Sequence, residues 1–494
     1  QRQMCIRDRV TGFGMFESRK KINKTIMAIT AVTFLILLLI IGVFNNSEKV
    51  YVYNYVVDAV CLTVSVSLLL RLYIKKDLDM FEPIVVIGGL YILMYFFTPI
   101  YDLCIGQYTW YGYDLFKYGI KATLIAFAGF IGFYVFYEKS FVWGNRSRRL
   151  RQVNNYCYTN DYAESRKKIL YLTLIIYFFS LAANIYYVIH VSGNSILYSL
   201  TFGLLGSGGV SEKTTTSIGF ISMFSYCLPS ATLLYWEFGN VKTMKWILFL
   251  IMFSLQMTRG FRFFIIAIAI TFFAYYYIKA NRRPKMKTVL LAVLAIIFVV
   301  VFMTIFRSAI RTGNGVDFSQ FNAENIKEAF DEAIWDNFRI YNNFYAMTDK
   351  IPSVYPYVHG RQMLLGTLAM VIPRAIWPQK ISTKAGVGLE YIVGKALVDT
   401  GQAYPNIGEY YYAFGTIGVI VFMCIYGIYA RRVKKCYFHS ENALDIILYS
   451  VLLGANLQLI IRGYTPSNFW YLVFSILPVV IIKLLFTQRK TEVE

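Results

Sequence analysis

Seven arginines are set apart by where they fall: Arg259, Arg262, Arg307, Arg311, Arg361, Arg374 and Arg462 each lie at the end of an apolar run or in the long polar stretch 308–409. A guanidinium is planar, permanently charged and rich in donors, so it stabilises negative charge that develops in a low-dielectric site. The same side chains also suit a plainer role, snorkelling to lipid phosphates or pairing with acids of the stretch. Among the groups here that can accept a proton, Glu409 and His359 stand in a helix-end or motif context. Glu409 sits between Gly408 and the tyrosines Tyr410, Tyr411 and Tyr412, and its alternative is a structural hydrogen bond that orients an arginine. His359, within Val358-His359-Gly360-Arg361, has the alternative of being an ordinary loop histidine. Trp377, Tyr404, Tyr410 and Tyr412 offer flat faces on which a sugar can stack, and interfacial anchoring explains each equally well.

Other chemistries lack their residues. The seven cysteines, Cys5, Cys61, Cys104, Cys157, Cys227, Cys424 and Cys436, are scattered, with no CxxC and no Cys/His cluster of metal-ligand spacing. There is no Gly-rich nucleotide loop and no Ser/His/Asp order. A reaction without metal or other cofactor, driven by neither ATP nor a nucleotide sugar, is therefore expected.

The elements that must position these residues are membrane helices. The 494 residues are 57% hydrophobic and 16% charged, too apolar for ordinary soluble domains, and 41 Tyr and 40 Phe suit membrane–water interfaces. The net charge of +21 lies in clusters between apolar runs, so it reads as a topology signal rather than a nucleic-acid surface. A spanning helix needs about 20 mostly apolar residues. Twelve such runs are expected: 26–44, 51–73, 83–101, 119–138, 169–191, 217–237, two within 246–279 separated by Thr258-Arg259-Gly260-Phe261-Arg262, then 288–306, 410–430, 445–461 and 468–485. Basic clusters follow every second span, and both termini are thereby expected on the cytoplasmic side. The opening QRQMCIRDRV reads as non-native and carries no functional weight.

The expected organisation is an all-α polytopic membrane protein with about 12 transmembrane helices. It comprises a cytoplasmic segment 1–25, spans 1–9 over 26–307, an external loop 308–409, spans 10–12 over 410–486 and a cytoplasmic tail 487–494. The loop holds nine Lys/Arg and ten Asp/Glu, so the positive excess lies elsewhere. Loops between spans are usually short, and one this long is expected to carry function. Apolar residues from Asn322 to Met347 recur near the helical period, which predicts an amphipathic helix on the membrane. Met363 to Ile372 is apolar but too short to span, a buried or re-entrant helix ending at Pro373.

Two blocks frame the end of that loop: Ile372-Pro373-Arg374-Ala375-Ile376-Trp377-Pro378-Gln379-Lys380, and Gly408-Glu409-Tyr410-Tyr411-Tyr412-Ala413-Phe414-Gly415-Thr416-Ile417-Gly418. Their order before a late span resembles the Wzy-type oligosaccharide repeat unit polymerases, or O-antigen polymerases. Thr258-Arg259-Gly260 is more loosely similar to a Ser-Arg-Gly turn of polymerases and O-antigen ligases. The resemblance covers most of the chain in architecture and only these short elements in motif.

It implies a bacterial cell-envelope enzyme of polysaccharide biosynthesis, embedded in the cytoplasmic (inner) membrane. The substrate implied is undecaprenyl diphosphate carrying an oligosaccharide. The reaction implied is glycosyltransferase-type transfer of the growing glycan to a sugar hydroxyl of another lipid-linked unit, with release of undecaprenyl diphosphate. On that reading Arg259 and Arg374, then Arg262, Arg307 and Arg361, hold diphosphate. Glu409 or His359 takes the hydroxyl proton, and Trp377 and Tyr412 contact sugar. Membrane lipids surround the protein, and a chain-length regulator and a flippase are the protein partners implied. One rival is a flippase for the same lipid, against which stands the gathering of Arg, Glu and Trp at one face. The other is a ligase-like glycan transferase, which shares the donor.

Overall fold

A helix satisfies its own backbone hydrogen bonds, so an apolar chain in lipid folds into helices. The computed structural model describes residues 48–76, 79–110, 113–114, 116–138, 165–192, 220–258, 262–311, 322–331, 335, 338–372, 376–377, 404–438 and 442–486, together with 32, 35 and 36. The helices are α1 (Lys49–Lys76), α2 (Pro83–Cys104, with a π-helical turn at Leu93–Phe97), α3 (Gly119–Glu138), α4 (Arg166–Ser192) and α5 (Cys227–Phe238, preceded by a 3-10 turn). They continue with α6 (Lys242–Thr258), α7 (Arg262–Lys279), α8 (Met286–Arg311), α9 (Ala323–Phe330), α10 (Tyr341–Lys350) and α11 (Arg361–Met370). The last three are α12 (Asn406–Phe438), α13 (Ala443–Ile461) and α14 (Thr465–Phe486). Among the described residues the only strands are a two-residue pair, Thr109–Trp110 with Tyr113–Asp114, a small departure from an all-helical chain.

Eight of these helices are long and apolar enough to cross a membrane: α1 to α4, α8 and α12 to α14. They coincide with the second to fifth, ninth and last three of the expected spans. The sixth, seventh and eighth expected spans appear as the shorter helices α5, α6 and α7. The first, 26–44, lies almost wholly outside the described residues. α6 is described to Thr258 and α7 from Arg262, and residues 259–261, where the break is expected, lie outside the described residues.

Charged contacts mark the ends of the bundle. At one, basic residues tie helix ends together: Arg166 donates to the Phe238 carbonyl at 2.9 Å, Lys279 pairs with Glu237 at 2.5 Å, and Lys434 pairs with Glu82 at 2.5 Å. The other end carries α9 to α11, the first turn of α12 and the α13–α14 turn. α3 and α12 pack extensively against each other. Gly427 lets them meet, because a Cβ there would lie 2.5 Å from the Phe133 carbonyl oxygen. This seam places Lys121, in the first turn of α3, against the start of α12.

The loop helices are not all on the surface. Asn322 caps α9 by accepting from the Asn325 N–H at 2.8 Å. From Tyr341 to Thr348 every residue of α10 is buried, so this part of the expected surface helix is packed into the bundle. The cause is a polar anchor. The Arg339 guanidinium meets the buried Asp102 carboxylate of α2 through Nε at 3.0 Å and Nη2 at 3.0 Å, and the Tyr341 hydroxyl donates to the same carboxylate at 2.8 Å. Four residues on, the Tyr345 hydroxyl shares a 2.7 Å hydrogen bond with Thr123 of α3, and Thr123 donates at 2.7 Å to Asp58 of α1. A charge removed from water is tolerated when it is paired and hydrogen-bonded, and this pairing draws α10 inward.

Candidate functional site

The block Gly408–Gly418 is the centre of the loop end, and its own sequence breaks it. Inside α12, Phe414 has φ −144° and ψ 18°, and Gly415 has φ 65° and ψ −154°. Gly415 adopts the left-handed region without a Cβ penalty, and a Cβ there would lie 2.9 Å from the Tyr357 hydroxyl. The short piece 406–413 is thus set apart from the long apolar piece that follows. Each piece meets a different group of candidate residues.

The first turn of α12 holds the α13–α14 connection through Glu409, which is buried. Glu409 Oε2 accepts from the Tyr464 N–H at 2.9 Å, the Thr465 N–H at 2.8 Å and the Thr465 hydroxyl at 2.7 Å, and Oε1 accepts from the Thr465 N–H at 3.0 Å. The first N–H groups of a helix have no intrahelical partner, and here a carboxylate from another helix caps α14. Tyr464 has φ 81°, an uncommon conformation for a bulky residue, and the Glu409 bond is one of the contacts that hold it. The neighbouring Gly463 N–H donates to the Tyr404 carbonyl at 2.7 Å, and the Tyr404 ring is buried beside it. Burial, and then the Glu409 carboxylate, push the Tyr404 phenol well above its usual range.

This clamp sets the direction of Arg462. Its guanidinium carbon lies 5.2 Å from the centre of the Phe263 ring, a cation–π contact. Phe263 follows Arg262 at the start of α7. The structure therefore brings Glu409, Arg462 and the α7 start together, although they are far apart in sequence.

The break in α12 receives the second group. The Val358 N–H donates to the Tyr412 carbonyl at 3.1 Å, and Gly360, at φ 69°, leaves no room for a Cβ against the Phe414 ring at 2.9 Å. His359 is exposed at φ 47°, with its ring 6.5 Å from that of Phe414, and exposed Arg361 opens α11. Tyr412 is half-buried and Trp377 is exposed. Arg262 opens α7 and Arg307 lies in the last turns of α8, with their side chains outside the described set. Arg259 and Arg374 lie outside the described residues.

Several groups at this end were passed over in the sequence. Asp58 is a carboxylate inside an apolar run and Asp102 one at the end of a run, a signal of function or of a buried partner that was open to reading. Arg339 and Lys121 had no comparable signal, since their partners are more than 200 residues away. Lys121 Nζ donates to the Thr348 carbonyl at 2.7 Å and lies 5.9 Å from the centre of the Tyr411 ring. No group of three or more His, Cys, Asp or Glu suited to a metal ion occurs among the described residues.

A bundle with eight lipid-length helices among the described residues defines the class: a polytopic helical membrane protein. The family model described as O-antigen polysaccharide polymerase Wzy matches residues 27–490, and this chain belongs to that family. At family level it is thus an O-antigen repeat-unit polymerase that acts on lipid-linked oligosaccharides in membranes. No match to the chain is found among curated proteins or solved structures.

Proposed function

We propose that this protein polymerises undecaprenyl-diphosphate-linked oligosaccharide repeat units on the external face of the bacterial cytoplasmic membrane, with both termini in the cytoplasm and undecaprenyl diphosphate as the released product. A hydroxyl of one lipid-linked unit attacks the anomeric carbon of the glycan on another. The new glycosidic bond forms as the bond to diphosphate breaks, the electron pair leaves with the diphosphate, and the hydroxyl proton passes to a base. The loop end is the external end in this reading, because the basic clusters gather at the opposite one.

The observation that carries the proposal is the double use of one block. The start of Gly408–Gly418 orients Arg462 through Glu409, and its break seats the turn bearing His359 and Arg361. The two flanks of α12 thus present cations and a proton acceptor at the same face. Arg361 and Arg462, with Arg259, Arg262, Arg307 and Arg374, are assigned to the diphosphate, whose charge increases as it departs. Glu409 is assigned a positioning role, since its carboxylate is occupied by the α14 start. His359 is then the proton acceptor, and Trp377 and Tyr412 offer surfaces to the sugars.

The test is reconstitution. Purified protein in lipid is given defined undecaprenyl-diphosphate repeat units without nucleotide, and products are followed by gel and mass spectrometry. A ladder of glycan lengths is expected, lost in Arg374→Ala while the fold is retained. Movement of the lipid across the bilayer with no ladder would replace the polymerase reading with the flippase.

A further inference from the structure

We infer that a groove beside the break in α12, floored by the first turn of α3 and bearing Lys117 and Lys121, seats the diphosphate of a polyprenyl-linked substrate. This rests on the polymerase reading above and adds to it a site that none of the arginines supplies.

The groove has a volume of 540 Å³, within the ligand-site range of roughly 300–1,000 Å³, and it is lined by Lys117, Tyr118, Lys121, Leu124 and Thr416 among others. Both lysines are exposed. Lys121 lies in the first turn of α3 and Lys117 in the turn that precedes it, and both line the groove. The dipole of α3 adds positive potential at its start. Among the described residues neither lysine has a carboxylate within ion-pair distance. Two exposed cations and a helix start around one groove favour a compact ligand with more than one negative charge.

The surroundings set the kind of anion. Leu124 lies one turn deeper along α3 and is 51% exposed, and on α12 Ile417 is 74% exposed next to the groove residue Thr416. A headgroup held at the lysines therefore has an apolar lane below it for a long hydrocarbon tail, which a water-soluble phosphate would not use. Lys121 is aimed by the Thr348 carbonyl and by the Tyr411 ring, so the groove is joined to the same block that holds Arg462 through Glu409. Polymerisation consumes two lipid-linked molecules. The arginines and the lysines, reaching α12 through different neighbours, provide separate seats for two diphosphates.

The test uses the full chain in nanodiscs of phosphatidylcholine with a minor share of phosphatidylglycerol, with undecaprenyl diphosphate as probe and undecaprenol as the uncharged control. Lys117→Ala/Lys121→Ala is expected to bind the diphosphate at least tenfold more weakly, with undecaprenol binding unchanged. Lys117→Arg/Lys121→Arg should stay within a few-fold of wild type, and its melting temperature controls for folding. Equal diphosphate binding by wild type and the alanine variant overturns the proposal. So does a variant that loses only enrichment of phosphatidylglycerol, which would make the groove a phospholipid headgroup site. Elongation of repeat units is measured in parallel. Groove-dependent binding by a wild type that makes no ladder supports the groove and rejects the polymerase reading, whereas a ladder unaffected by the alanine pair rejects the groove alone.

Discussion

Glu409 and Thr465, fifty-six residues apart, share three contacts: the Thr465 N–H reaches both carboxylate oxygens, and the Thr465 hydroxyl donates to Oε2 at 2.7 Å. A carboxylate committed in this way fixes the α13–α14 turn and, with it, Arg462. Glu409→Ala leaves the Tyr464 and Thr465 N–H groups without their acceptor, at a cost of about 1–3 kcal/mol for each buried donor. A lower melting temperature and a large fall in elongation are expected together. Thr465→Val removes only the hydroxyl contact and should cost about 1 kcal/mol with a mild loss of elongation. Were Glu409 the base instead, Glu409→Gln would abolish elongation with the melting temperature unchanged.

Asp102 and Arg339 supply a second test, by thermal unfolding in detergent. Asp102 is 1% exposed and Arg339 is 7% exposed. Removing one partner of a buried pair typically costs about 3–5 kcal/mol, because the remaining charge is uncompensated. Arg339→Met should therefore destabilise strongly and free α10 from α2, read as new protease cleavage between residues 338 and 350. The double variant Asp102→Asn/Arg339→Met should recover part of the loss. Equal melting temperatures for wild type and Arg339→Met would show that the anchor contributes nothing.

These two relationships also mark how far the sequence could be read. Long apolar runs and the alternation of basic clusters were legible because lipid dictates helix length and Lys/Arg placement residue by residue. Eight helices long enough to span appear where such runs stood. The two blocks around the loop were legible as motifs, and the family match over 27–490 accords with them. What Glu409 touches was not legible, since its partners lie on a turn whose place depends on the packing of α12 to α14. The burial of α10 was hidden for the same reason. Its tyrosines, read by period, face a membrane surface, and only the Asp102 carboxylate, contributed by another helix, turns them into the bundle. Asp58 and Asp102 were the missed signals, since an acid in an apolar run or at its end calls for a partner.

The α3–α12 seam gives a third expectation. A Cβ at Gly427 would meet the Phe133 backbone at 2.5 Å, where no flexible side-chain end can move aside. Gly427→Val should separate the helices and displace Lys121 from Tyr411, an overpacking cost of about 1–3 kcal/mol. Size-exclusion chromatography after extraction should show reduced monodisperse protein, and Gly427→Ala should fall between. Unchanged recovery of both variants would mean that the seam has slack at this point.

Arg462 tests charge against shape. Its guanidinium carbon lies 5.2 Å from the centre of the Phe263 ring, and a planar guanidinium can stack by its face and donate from its edge. Arg462→Lys keeps the charge but loses the planar fork, so elongation should fall about tenfold if the fork holds diphosphate oxygens. Arg462→Ala should fall further, and Phe263→Leu should show an intermediate loss by leaving the arginine unaimed. The melting temperatures of all three should remain close to wild type, because the Glu409 clamp uses the turn's backbone rather than the Arg462 side chain. Full activity in Arg462→Lys with loss in Arg462→Ala would reduce the role to a point charge. Full activity in both would remove Arg462 from the diphosphate site and leave the Glu409 clamp with a purely structural purpose.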